Sequence, residues 1–95
     1  MQLEVTGEVF TWRGPAPHHF VRVDGDEGEL VAETAAMVTY GWGMVPVRLS
    51  LGSTTWTTSL WPKDGGYLVP LKADVRRREH VEVGDVVTVR LEVLT

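Results

Sequence analysis

The chain has 95 residues, 43% of them apolar and 23% charged, with a net charge of −4 and no cysteine. This length suits one domain, residues 1–95, with one modest core, and the absence of thiols excludes a disulfide framework and a thiolate metal site. No run approaches the ~18 apolar residues of a membrane helix, and Met1-Gln2-Leu3-Glu4 is no basic-then-apolar leader, so a cytoplasmic location is expected.

Leu3, Val5 and Val9 alternate with Gln2, Glu4, Thr6 and Glu8, the period of a half-buried strand. Beyond Gly7 the apolar residues move to even positions, Phe10 and Trp12, which predicts a bulge or sharp bend in this first strand. Gly14-Pro15-Ala16-Pro17 is a stiff connection. His18 to Val23 reads as a second strand, with Val21 and Val23 opposite His18, Phe20 and Arg22. A helix follows Asp24-Gly25, with Asp26 as N-cap, Glu29 completing a capping box and Leu30, Val31, Thr34, Ala35 and Val38 on one stripe. It should stop near Tyr40, ahead of Gly41.

Met44–Leu51 and Thr54–Trp61 are strand runs joined by Gly52-Ser53, a two-residue, glycine-first hairpin turn. That loop pairs Leu51 with Thr54, Leu49 with Trp56, Val47 with Thr58 and Val45 with Leu60, which puts Trp56 in the core. Pro46 has no N–H to offer a further strand, so a sheet edge is expected there. Pro62 to Gly66 is a loop, and Tyr67 to Leu71 a strand whose inward face depends on whether that loop closes with a bulge. A short helical turn over Ala73–His80 with Asp74 as its cap, a turn at Gly84-Asp85 and a strand from Val86 to Leu94 complete the chain. Six strands, one α-helix and one helical turn predict a mainly β fold, a small barrel.

Four blocks, Gly41-Trp42-Gly43-Met44-Val45-Pro46-Val47, Thr58-Ser59-Leu60-Trp61-Pro62, Gly65 to Lys72 and Gly84 to Leu91, occur in order along nearly the whole chain. In them the chain resembles the small bacterial domain-of-unknown-function family nineteen-oh-five. The resemblance implies a six-stranded, double-split β-barrel, distantly like that of swapped-hairpin transcription factors, and no established catalytic residues. Some members of that family are joined to a bacteriocin-protection-like domain. Asp24-Gly25 departs from the pattern, where a proline would end the second strand.

Four tryptophans are many for this length, and Trp favours binding surfaces for its rigid face and single N–H. With Trp56 assigned to the core, Trp12, Trp42 and Trp61 are the ligand-binding candidates, core or corner filling being the alternative. Trp42 lies between two glycines that leave a loop free to present its ring. Arg48, on the polar hairpin face, and Lys72 are the cations expected to meet these rings, or else solvated surface charges. His18 and His19 point to opposite faces of one strand, so no shared metal is expected, nor any cofactor. Without a Gly-x-Ser-x-Gly elbow or an isolated carboxylate pair, the balance leans away from an enzyme. The expected function is a binding module for a small molecule or protein partner, as a monomer or homodimer. The alternative is a DNA-binding regulator using Arg76, Arg77 and Arg78, although the acidic whole argues against a nucleic-acid partner.

Overall fold

The computed structural model describes residues 2–12, 18–38 (side chains to residue 36) and 43–94. The elements run β1 (Gln2–Glu8), β2 (Phe10–Trp12), β3 (His18–Val23), α1 (Gly25–Val38), β4 (Val45–Leu51), β5 (Thr54–Lys63), β6 (Gly66–Leu71), α2 (Ala73–Arg78) and β7 (Val86–Val93). All strand pairs are antiparallel, in the order β1-β7-β4-β5-β6-β3-β2. The two end strands of this curled sheet, β1 and β2, are consecutive pieces of one bent segment. The expected six strands become seven through that single break.

The break falls at Val9, two residues later than the bend expected at Gly7. Val9 leaves the ladder because its N–H donates to the Asp85 carbonyl (2.8 Å) and its own carbonyl accepts from Gly84 N–H (2.9 Å). Gly7 stays paired with Val87. Its missing side chain lets β1 lie against β3, since a Cβ there would sit 2.9 Å from Val21 Cγ1.

A second strand, β5, is also shared. Thr54 to Leu60 pair with β4, and only Trp61 to Lys63 pair with β6. The alternation of the hairpin turns the backbone groups of Ser59 and Trp61 toward β6. Continuing the register would set Pro70 opposite Ser59, and Pro70 has no N–H to donate, so the ladder stops and the barrel splits there. Pro46 acts differently from expectation. It does not mark an edge strand, because β4 lies between β5 and β7. The β7 ladder simply runs out beside it: Val47–Val93 is the last bridged pair, and Leu94 N–H donates to the Pro46 carbonyl at 2.9 Å.

The hairpin register is the one the two-residue turn dictates, from Leu51–Thr54 to Val45–Leu60. Of the two turn residues only Gly52 takes positive φ (59°), as a glycine-first turn requires. Val45, Val47, Leu49, Leu51, Trp56 and Leu60 therefore enter the core with Val21, Val23, Val69, Leu71, Val89, Leu91 and Val93. Each such burial contributes roughly 1.5–3 kcal/mol, and the helices add Val31, Ala35 and Val75. The alternation of β6 is thereby settled: Val69 and Leu71 face the core, and Leu68 is buried on the opposite side.

Both helices start differently from their sequence reading. α1 begins at Gly25, so Asp26 lies inside the first turn, where the helix dipole favours it, and Gly28 N–H bonds the Asp24 carbonyl. Leu30 is 42% exposed; among the described side chains the buried stripe is Val31 and Ala35, with Thr34 half-buried, and the side chain of Val38 lies outside them. Tyr40 and Gly41 lie outside the described residues. In α2 the N-cap is Lys72 in extended conformation without a side-chain cap, while Asp74 accepts from the adjacent Val75 N–H.

Candidate functional site

Strand alternation sends Val21, Val23, Val69 and Leu71 inward, and so turns their neighbours outward. Directly paired residues share a face. Phe10 stands opposite Phe20, Trp12 opposite His18, Phe20 opposite Pro70 and Trp61 opposite Leu68. The outer side of β2, β3, β6 and the end of β5 thus gathers five rings. Phe20 is their hub, with centroid distances of 5.2 Å to Trp61, 6.0 Å to His18, 6.1 Å to Phe10 and 6.3 Å to Trp12. His18 meets Trp61 edge-on at 5.7 Å. These spacings and tilts are those at which aromatic quadrupoles attract.

Phe20 and Leu68 are fully buried but stand apart from the barrel core, as the floor of a second apolar cluster. Above them Trp61 is half-buried, His18 is exposed and Trp12 is 40% exposed. The Lys63 ammonium lies over the Trp12 ring, 4.1 Å from its centroid, and 3.7 Å from Asp64 Oδ2. Beside it Arg22 donates from Nε to Asp24 (3.1 Å) and from Nη2 to the Asp64 carbonyl (2.8 Å). Gly66 makes this corner: a Cβ there would stand 2.6 Å from the Val23 carbonyl and 3.0 Å from Arg22 Nη2.

Of the residues singled out in the sequence, Trp12 and Trp61 share this cluster and the described cations do not. Arg48 lies on the outer side of β4, bound to Glu92 at 2.8 Å. With Gln2, Glu4, Ser50 and Arg90 it lines a shallow groove of about 390 Å³. Lys72 reaches the Thr57 carbonyl at 3.4 Å. Trp42 lies outside the described residues. Phe10, His18, Phe20 and Lys63 were missed as site residues, although the even-numbered aromatics of the first two strands already shared a face by period two. Lys63 carried no local signal.

His19 faces the other way from His18. Arg76 bonds the Leu71 carbonyl through Nε (3.3 Å) and approaches His19 Nε2 through Nη1 (3.3 Å). Arginine only donates, so Nε2 accepts and the ring's proton sits on Nδ1, which is buried and without a partner among the described residues. Burial, and then the Arg76 charge, hold the His19 pKa below its ordinary value. Arg76 is thereby engaged, while Arg77 and Arg78 are exposed. Among the described residues no three His, Asp or Glu side chains gather as metal ligands, and no helix is long and apolar enough to cross a membrane.

The match to the family model for Domain of unknown function (DUF1905) runs over residues 6–91, from within β1 to within β7. The chain belongs to the DUF1905 family. The matched span contains every ring of the aromatic face, together with Lys63, Arg22 and Gly66. A search of the curated proteins finds no match to this DUF1905 chain.

Proposed function

We propose that this DUF1905 domain is a cytoplasmic, non-catalytic binding module that holds a small molecule or protein partner on its outer aromatic face. The observation that carries this reading is the convergence of Trp12, His18 and Trp61 on a buried Phe20, outside the barrel core. Filling the core does not require them, and large rings left part-exposed on a sheet are a cost unless something covers them. Rigid aromatic faces with few torsions are what binding surfaces favour, because little conformational entropy is lost on contact. The acidic whole and the engagement of Arg76 support this reading over a nucleic-acid one.

The test is a screen of small aromatic, anionic and cationic compounds, read by the indole N–H shifts of Trp12 and Trp61. Trp12→Ala should weaken any binder roughly two- to tenfold, since one aromatic contact contributes about 0.5–1.5 kcal/mol; losing the contacts of Trp12 with Phe20 and Lys63 also lowers the melting temperature of the free protein, so affinity is measured well below it. Binding indifferent to Trp12→Ala would remove the face from consideration. A steeply salt-dependent shift of duplex DNA, lost with Arg77→Ala and Arg78→Ala, would transfer the function to α2.

A further inference from the structure

The face proposed above as a binding surface already contains a bound cation, and it belongs to the protein itself. Lys63 extends from the end of β5 to place its ammonium over the Trp12 ring of β2, although β6 and β3 lie between these strands in the sheet. Among the described residues its other partner is the Asp64 carboxylate at 3.7 Å, and that side chain is 77% exposed. An exposed ion pair at this distance contributes little, so the electron-rich face of Trp12 is a substantial part of what holds the ammonium. Arg22, the neighbouring cation, is by contrast fixed by two hydrogen bonds to Asp24 and Asp64.

Resting on the binding-module reading, we propose that Trp12, His18 and Trp61 receive an alkylated ammonium group, and that Lys63 is its internal stand-in, which the ligand displaces. Three features favour this chemistry. The Trp12 face accepts a positive charge, as its contact with Lys63 demonstrates. The neighbouring rings offer apolar contact to N-methyl groups, which a primary ammonium cannot use, and an alkylated ammonium loses less hydration on leaving water. Finally, a displaced Lys63 keeps Asp64 as its partner, so the exchange strands no charge. An anion would find Lys63 and Arg22, but also the negative faces of the rings and the exposed carboxylates of Asp24 and Asp64 that already pair with those cations (side chains 66% and 77% exposed).

The experiment titrates the intact protein with choline and with its uncharged isostere, in which carbon replaces the nitrogen, following the Trp61 indole N–H, which every variant below retains, and that of Trp12 where it is present. Choline should saturate the shift and the isostere should not. Lys63→Met, which removes the competitor, should tighten choline about two- to fivefold, the range an exposed cation–π contact supplies. Lys63→Arg, which keeps a cation over the ring, should not, and Trp12→Ala should abolish the effect. A trimethyl-lysine peptide binding tighter than choline, with the unmodified peptide inert, would assign the group to a protein partner; equal affinity would assign it to a free metabolite. Equal binding of the isostere, or no tightening in Lys63→Met, overturns the proposal. If a neutral or anionic aromatic compound then saturates in a Trp12-dependent way, the binding-module reading survives without it; if no ligand depends on Trp12, both fall.

Discussion

His19 shows what one residue's surroundings do to its chemistry. Its position on β3, one residue from His18, turns it away from the aromatic face toward Leu71 and Arg76. That opposition follows from strand alternation and was legible in the sequence. Its partner was not, because Arg76 is 57 residues away and arrives only through the docking of α2. Burial and the Arg76 charge both lower the pKa. The unfolded chain therefore takes up a proton near the ordinary histidine value of about 6.5 while the folded ring stays neutral. In that window the unfolded state binds more protons, so stability is retained above it and lost as pH falls through it. The urea midpoint should drop between about pH 7.5 and about pH 5.5. His19→Gln should flatten that slope; an unchanged slope would place the acid sensitivity elsewhere.

At the scale of elements, the β4–β5 hairpin was readable to the residue, because a two-residue loop and a buried face leave one register. The helix starts were less so. Asp26 and Asp74 both resemble caps, yet the backbone enters each helix before them, and no local pattern separates an N-cap acid from a first-turn acid. The role of Glu79 was not legible either. This residue, the C-cap of α2, accepts a 2.5 Å hydrogen bond from Thr54 Oγ1 and a longer one from Ser53, clasping the hairpin turn from outside. Gly52 leaves room for that carboxylate, which a Cβ would overlap. A part-buried hydrogen bond to a charged group contributes roughly 1.5–3 kcal/mol. Glu79→Ala should therefore cost about 1.5–3 kcal/mol in urea unfolding and lower amide protection over α2, while Glu79→Gln keeps part of it. Loss of stability without a change at α2 would contradict the clasp.

For the molecule as a whole, two shared strands, the segment 2–12 and β5, hold both parts of the split barrel together. The fold class was readable from the number and spacing of strands. The convergence of Trp12, Trp61 and Lys63 was not, since it depends on β5, β6, β3 and β2 being neighbours in that order, which alternation along one strand does not encode. The bend at Val9 has a mechanical consequence. Its N–H and carbonyl are gripped by Asp85 and Gly84, and Gly84 adopts φ 96°, a conformation nearly confined to glycine. The 84–85 turn is thus a fulcrum and β2 a short lever, with Trp12 at its tip. Gly84→Val, which touches no ring, should strain the turn by about 1–3 kcal/mol and shift the near-ultraviolet dichroism and the Trp12 indole signal together. If the melting point falls while both signals stay put, the lever is slack. If they move, the tilt of the rings is tuned by a residue that never meets them.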